Sequence, residues 1–197
     1  MRQGLARIIQ SGLEVAQIRE ADSGALLLEL LRHQPSDVVL LDVTLPGRSG
    51  LEVLRQVKQE RPRMPVLVLS VHPAEQYALR ALRAGAAGYL TKDLAADELV
   101  NAVRLVVRGE RYLTPAVARQ LADALDKPNA RPHDELSDRE LQVLSLLGAG
   151  KRMRQVAEEL CLSYNTISTY RSRILTKLGL HTSTQLVRYA LRHGLAD

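Results

Sequence analysis

Asp37-Val-Val-Leu-Leu-Asp42-Val-Thr-Leu-Pro46-Gly-Arg-Ser-Gly50 is the stretch whose reading decides the fold. Its apolar run, residues 38–41, has the length and β-branched content of a strand buried on both faces, as in a parallel sheet. The run ends in a carboxylate, Asp42, and the chain then turns through Pro46, Gly47 and Gly50. In an open α/β sheet chemistry sits beyond the carboxyl ends of the strands, so Asp42 stands where a reactive group would be. A lone Asp after a strand is more often a turn cap. Two further strand ends argue against that reading here.

Pro65-Val-Leu-Val-Leu-Ser70 is a second buried-strand pattern, and it ends in a hydroxyl. Tyr89-Leu-Thr-Lys92 closes a third apolar run, residues 86–90, with an ammonium. Taken singly, Ser70 is a helix N-cap and Lys92 a solvated charge. Together they make a site for an anionic group carried on Asp42, with Ser70 and Lys92 meeting its oxygens. The combination resembles the receiver domain of bacterial response regulators. The resemblance implies a flavodoxin-like α/β fold, a phosphoryl group accepted by Asp42, and phosphoryl binding by Ser70 and Lys92. It also implies a switch at Tyr89, Mg²⁺ anchored partly by Asp42 and the backbone carbonyl of Thr44, and a sensor histidine kinase as partner.

Composition bounds the class. The 197 residues suffice for two domains, and 46% apolar content supplies packed cores. The single Cys, Cys161, excludes a disulfide framework and fits a reducing cytosol. Flanked by Leu160 and Leu162, it reads as a small buried hydrophobe rather than a redox sensor. No apolar run approaches the length of a membrane span and no signal-peptide core is present, so a soluble, cytoplasmic protein is expected. With no Phe or Trp and aromatics at 3%, pockets walled by aromatic rings are not expected. The net charge of +5 is a mild pointer to a polyanionic partner.

Taken in order, Arg2-Gln-Gly-Leu-Ala-Arg-Ile-Ile-Gln10 reads as an amphipathic helix, Glu14-Val-Ala-Gln-Ile-Arg-Glu20 as an alternating strand, and residues 25–31 as helix. Receivers begin with an apolar strand and an acidic pair ahead of the helix whose Arg-x-Gly matches Arg2-Gln-Gly4. This sequence starts inside that helix. Mg²⁺ needs octahedral oxygen coordination, so without those acids phosphorylation of this chain is expected to be weak or absent. Loss of an inner strand would leave unpaired edges. A start assigned too late, or a degenerate receiver kept for dimerisation, would each account for it.

Helices follow at residues 50–59, 75–83 and 97–107, the last opened by Asp93 and the acids near its start, and another runs from Thr114 as cap and Pro115 to about Leu125. Asp126-Lys-Pro-Asn-Ala-Arg-Pro-His133 is a linker. The expected domains are a receiver over residues 1–111, a linker helix and flexible linker over 112–133, and a second domain over 134–197.

The second half opens with a capping box, Ser137 and Glu140, ahead of a helix faced by Leu141, Val143, Leu144 and Leu147. A short helix at residues 155–160, a tight connection, and a third helix at residues 166–178 capped by Asn165 or Ser163 form a helix-turn-helix signature. Ile167, Ile174 and Leu178 form the inward stripe of the third helix. From Tyr164 to His193 there are five bases, Arg171, Arg173, Lys177, Arg188 and Arg192, and no acid. Hydroxyls interleaved with Arg suit a major groove, which makes Asn165, Thr166, Ser168, Thr169, Arg171, Ser172, Arg173 and Lys177 the candidate contacts to double-stranded DNA. His181 and His193 lack metal-ligand spacing.

Leu136-Ser-Asp-Arg-Glu-Leu, Val156-Ala, Thr166-Ile-Ser-Thr-Tyr-Arg and Lys177-Leu-Gly-Leu resemble the LuxR-type helix-turn-helix of the NarL/FixJ family. Family members often carry Lys where Ser168 stands, which shifts weight to Arg171, Arg173 and Lys177. The final helix, residues 184–192, is similar to the one that pairs these proteins as homodimers on two-fold DNA sites. The expectation is a two-domain transcription regulator switched by phosphorylation of Asp42, and not an enzyme. Its rivals are a phosphorylation-independent DNA binder and a receiver-mediated interaction protein that binds DNA non-specifically.

Overall fold

The computed structural model describes residues 2–71, 74–92, 96–126 and 131–196. The chain divides into two units: an α/β unit of residues 1–45 and 50–122, and a second, mainly helical unit of residues 46–49 and 123–197.

Among the described residues the α/β unit contains three parallel strands, β1 (Val39–Asp42), β2 (Val66–Ser70) and β3 (Gly88–Thr91), in the order β1-β2-β3. Val39 pairs with Val66 and Asp42 with Leu69; Leu67 pairs with Gly88 and Ser70 with Thr91. Every residue of β2 is buried, as a central parallel strand covered on both faces must be. Among the described residues the helices of this part of the chain are α1 (Arg2–Gly12), α2 (Gly24–His33), α3 (Gly50–Glu60), α4 (Ala74–Arg83), α5 (Ala96–Val107) and α6 (Pro115–Asp126), the last of which runs past the end of the unit. Leu67, Leu69 and Leu90 form one core with Leu99, Ala102, Val103 and Val106 of α5, against which Leu5, Ile8, Ile9 and Leu13 pack. Strand alternation turns Val68, Ser70, Tyr89 and Thr91 to the opposite face of the sheet. Leu51, Leu54 and Val57 of α3 are fully buried. Tyr112 extends the sheet by one residue: its N–H donates to the Ala87 carbonyl at 2.9 Å and it bridges to Gly88. A Cβ at Gly88 would lie 2.7 Å from the Tyr112 carbonyl oxygen.

The alternating stretch 14–20 is not a strand. Among the described residues it has no strand beside it, and a period-two pattern stays extended in a ladder only when a neighbour satisfies its N–H and C=O groups. β1 is accordingly an edge of the sheet among the described residues. Asp93, expected to open α5, and residues 127–130 of the expected linker lie outside the described residues. Thr114 caps α6 as expected, accepting from Val117 N at 3.3 Å.

Among the described residues the helical unit holds a 3₁₀ turn (Pro132–Glu135) and four helices, α7 (Asp138–Gly148), α8 (Met153–Glu159), α9 (Tyr164–Leu178) and α10 (Ser183–Arg192). The capping box forms: Ser137 Oγ accepts from Glu140 N at 3.2 Å and the Glu140 carboxylate from Ser137 N at 2.7 Å. α7 packs against α8, α9 and α10. At Gly148 an added Cβ would lie 2.5 Å from that of Ala190, so α7 and α10 meet at a distance that only glycine permits. Ser163, rather than Asn165, caps α9 and accepts from Thr166 N at 3.0 Å. The buried stripe of α9 is Ile167, Ile174 and Leu175, with Leu178 half-buried, because one turn separates Leu175 from Leu178 and the unit's core ends between them.

Cys161 is exposed, contrary to the expectation of burial. It occupies the turn between α8 and α9 with φ of 53°. The chain reverses there while Leu160, next to it, is fully buried, so successive side chains face opposite ways. The two leucines that suggested burial say nothing of the residue between them.

Candidate functional site

Two sites emerge, one in each unit. In the α/β unit β1 delivers Asp42 to its carboxyl end, where Thr44 N donates to Asp42 Oδ1 at 2.9 Å and the Lys92 ammonium forms an ion pair with Oδ2. Lys92 gets there because the β2–β3 ladder continues one step past β3: Lys92 N donates to the Ser70 carbonyl at 2.8 Å. The Asp42 side chain is 32% exposed and that of Lys92 12%, so the pair lies at the surface with its cation largely desolvated. Ser70, at the end of β2, and Tyr89, near the start of β3, are each 1% exposed. The structure thus gathers Asp42, Thr44 and Lys92, and holds Ser70 and Tyr89 buried on the other face of the sheet.

The loop after Asp42 folds back on itself through Gly50, whose N–H donates to the Val43 carbonyl at 2.9 Å. A Cβ there would fall 2.0 Å from the Asp42 carbonyl oxygen and 2.8 Å from Val43 Cα. Gly50 therefore starts α3 directly against the backbone of the acidic residue, and no side chain fits between them. A carboxylate with an ammonium beside it can accept and hold a phosphoryl group, while the Ser70 hydroxyl is not brought to them. Among the described residues no three His, Cys, Asp or Glu side chains gather, and both Asp42 oxygens already have partners. That donor set does not make a tight octahedral Mg²⁺ site.

The second site is the outer face of α9. Asn165, Thr169, Ser172, Arg173, Thr176 and Lys177 are exposed, while Thr166, Ser168 and Arg171 are half-buried. Two of the three cations are engaged within the protein. Arg171 Nε donates to Ser183 Oγ at 2.9 Å, tying α9 to the start of α10. Lys177 Nζ meets Glu140 Oε2 at 2.6 Å, tying the end of α9 to the capping box of α7. Arg173 has no partner among the described residues. Burial pushes the Glu140 acid up, but the bonds from Lys177 and Ser137 and the Lys177 charge outweigh it and hold the pKa below its usual 4.5. Thr176 was not among the residues picked out in the sequence. Its signal was present: it stands two helical turns after Thr169 on the same face.

Comparison with known proteins decides the family. Residues 1–104 match the family described as the response regulator receiver domain, and residues 134–190 match the bacterial regulatory proteins of the luxR family. The chain belongs to the NarL/FixJ family of response regulators. It is 39% identical to the response regulator GacA of Pseudomonas viridiflava over all of this chain and 93% of that protein. It is 34% identical to the response regulator UvrY of Escherichia coli strain K12, over all of this chain and 91% of that protein. In fold it is similar to RcsB of Salmonella enterica serovar Typhimurium bound to promoter rprA in the presence of the phosphomimetic BeF₃⁻. That structure aligns with a TM-score of 0.61 and 20% identity over 95% of this chain and 91% of RcsB. As a NarL/FixJ response regulator the chain joins a parallel α/β receiver to a helical LuxR-type DNA-binding domain, and it is a two-component transcription regulator. Such regulators are generally non-enzymatic, and receivers generally use Mg²⁺ for phosphorylation. Among the described residues no helix is long and apolar enough to cross a membrane.

Proposed function

We propose that Asp42 accepts a phosphoryl group from a sensor histidine kinase and that this switches a homodimer on double-stranded DNA. The carrying observation is the Asp42–Lys92 ion pair. An ammonium already held on the acid's oxygen is placed to follow the charge onto a phosphoryl oxygen. Ser70 would reach a second phosphoryl oxygen only by turning from the opposite face of the sheet, and that rearrangement would be felt at buried Tyr89. In the helical unit α9 would enter the major groove with Asn165, Thr166, Ser168, Thr169, Arg171, Ser172 and Arg173 toward bases and phosphates. Lys177 would reach DNA only by leaving Glu140, so its part is mainly to position α9. Pairing through α10 is supported by an open groove lined by Ser183, Val187, Arg188, Leu191 and Arg192, in which Leu191 is 55% exposed. The protein would act in the cytoplasm, where its DNA is, and would not be an enzyme beyond taking up its own phosphoryl group.

Intact-mass spectrometry after treatment with a small-molecule phosphodonor and Mg²⁺ tests the switch, with Asp42→Asn as control. Partial addition of one phosphoryl group to the wild type, kept weak by the sparse oxygen donors around Asp42, and none to the variant is expected. No addition refutes it. A second reading, DNA binding without phosphorylation, is favoured by the sparse oxygen donors around Asp42. It requires Asp42→Asn to leave regulation of the target promoter unchanged.

A further inference from the structure

Three hydroxyls on the outer face of α9 are not free to act as both donors and acceptors. Thr169 Oγ1 donates to the Asn165 carbonyl at 2.9 Å, Ser172 Oγ to the Ser168 carbonyl at 3.1 Å, and Thr176 Oγ1 to the Ser172 carbonyl at 3.1 Å. A hydroxyl has one proton and two lone pairs. Once the proton is given to the carbonyl one turn back, only acceptor lone pairs and, for Thr, a methyl face outward. On the same face the donors include the half-buried Ser168 hydroxyl, and the Asn165 amide and Arg173 guanidinium, neither of which has a side-chain partner among the described residues. Arg171 and Lys177 are held by Ser183 and Glu140.

Base edges in the major groove differ in the complementary sense. Guanine offers two acceptors, adenine an acceptor and an amino group, cytosine an amino group, and thymine an acceptor and a methyl. We propose that the reading face of α9 is acceptor-biased: Thr169 and Ser172 select bases with an exocyclic amino group, adenine or cytosine, while Arg173 takes the guanine. The Thr169 methyl adds van der Waals contact with an adjacent thymine methyl, and Asn165 is free for bidentate pairing with adenine. Guanine at a position facing Thr169 or Ser172 would set acceptor against acceptor unless the hydroxyl abandoned its helical bond. The preference at those two positions therefore comes from a hydrogen bond inside the protein, not from the side-chain type. This inference rests on the reading of α9 as the major-groove helix.

Selection of bound duplexes from a randomised pool by the full-length chain tests it, run in parallel on wild type, Thr169→Val and Ser172→Ala. Valine keeps the outward methyl and removes the acceptor. The expected result is enrichment of adenine or cytosine at two positions in the wild type. One of those preferences should fall on the order of fivefold in each variant, as the loss of one hydrogen bond gives, with affinity for random duplex unchanged. Selected sites that carry guanine at those positions, or an unaltered preference in both variants, would overturn the inference while leaving the DNA-binding reading intact. A pool with no enrichment at all would overturn the reading of α9 itself, and the inference with it.

Discussion

Glu140 is one carboxylate with two attachments, and Glu140→Ala removes both. The residue closes the capping box of α7 by accepting from Ser137 N, and its Oε2 takes the Lys177 ammonium at the far end of α9. Losing a capping interaction costs about 1 kcal/mol. Breaking a fully buried ion pair costs about 3–5 kcal/mol, because a charge is stranded without water. Here the Glu140 side chain is 4% exposed but that of Lys177 is 39%. The freed ammonium turns to solvent, which brings that share down to about 1–2 kcal/mol. The sum, about 2–3 kcal/mol, corresponds to a fall of roughly 10–20 °C in Tm for a helical unit of this size. Glu140→Gln retains an acceptor for Ser137 N and should cost about 1 kcal/mol less than the alanine variant.

Hydrogen exchange read by mass spectrometry on the full chain is the suitable assay. Peptides from α7 and α9 report their own opening without assuming that two domains unfold together. Faster exchange is expected in both helices for Glu140→Ala. Unchanged exchange in α9, or a Glu140→Ala/Lys177→Ala double variant whose loss equals the sum of the singles, would refute the argument that one carboxylate joins the helices. The pH dependence has a definite sign. Because the folded-state pKa is depressed, the stabilisation is fully present above the usual 4.5 and is lost as pH falls below it through the depressed value. Glu140→Gln should abolish that part of the acid sensitivity.

Two other expectations follow from close approaches and free charges. Gly50→Ala should destabilise the α/β unit by about 2–3 kcal/mol in urea unfolding, since the new methyl meets the Asp42 carbonyl oxygen and Val43 Cα, both backbone. Full wild-type stability in that variant would show that the loop yields. In DNA binding to selected duplexes, Arg173→Ala should cost about 1–3 kcal/mol and relax the preference for guanine at one position, whereas Lys177→Ala should leave that preference and the salt slope nearly unchanged. A fall of about one in the salt slope for Lys177→Ala would mean that Lys177 leaves Glu140 and reaches a phosphate.

What the sequence disclosed and what it concealed divide along physical lines. The strands at Asp42, Ser70 and Lys92 were legible because a parallel strand covered on both faces leaves an uninterrupted apolar run with its polar residue at the end. The caps at Ser137 and Thr114 were legible because they are local, with donor and acceptor three residues apart. The stretch 14–20 misled because alternation records which side chains could be inward, while a strand depends on a partner distant in sequence. Cys161 misled because a reversal of the chain separates it from both of its neighbours. Lys177 was legible as a cation on the right helix, but its bond spans from α9 back to Glu140, and no periodicity within α9 carries that information. Along α9 sequence alone could place hydroxyls on the outer face, but not say where their protons go.

Tyr112 carries a consequence for how such proteins are recombined. Its backbone is stitched to the Ala87 carbonyl, its ring belongs to the core that contains Leu67 and Leu90, and its hydroxyl is bonded to the Glu98 carboxylate on α5. Val117, five residues on and within α6, is 1% exposed. A chimaera that spliced a foreign output domain directly after α5 would strip an edge residue and a core aromatic from the receiver it meant to keep. The portable signalling module runs through Tyr112 and the first turn of α6, so a joint to a new output domain belongs after Val117.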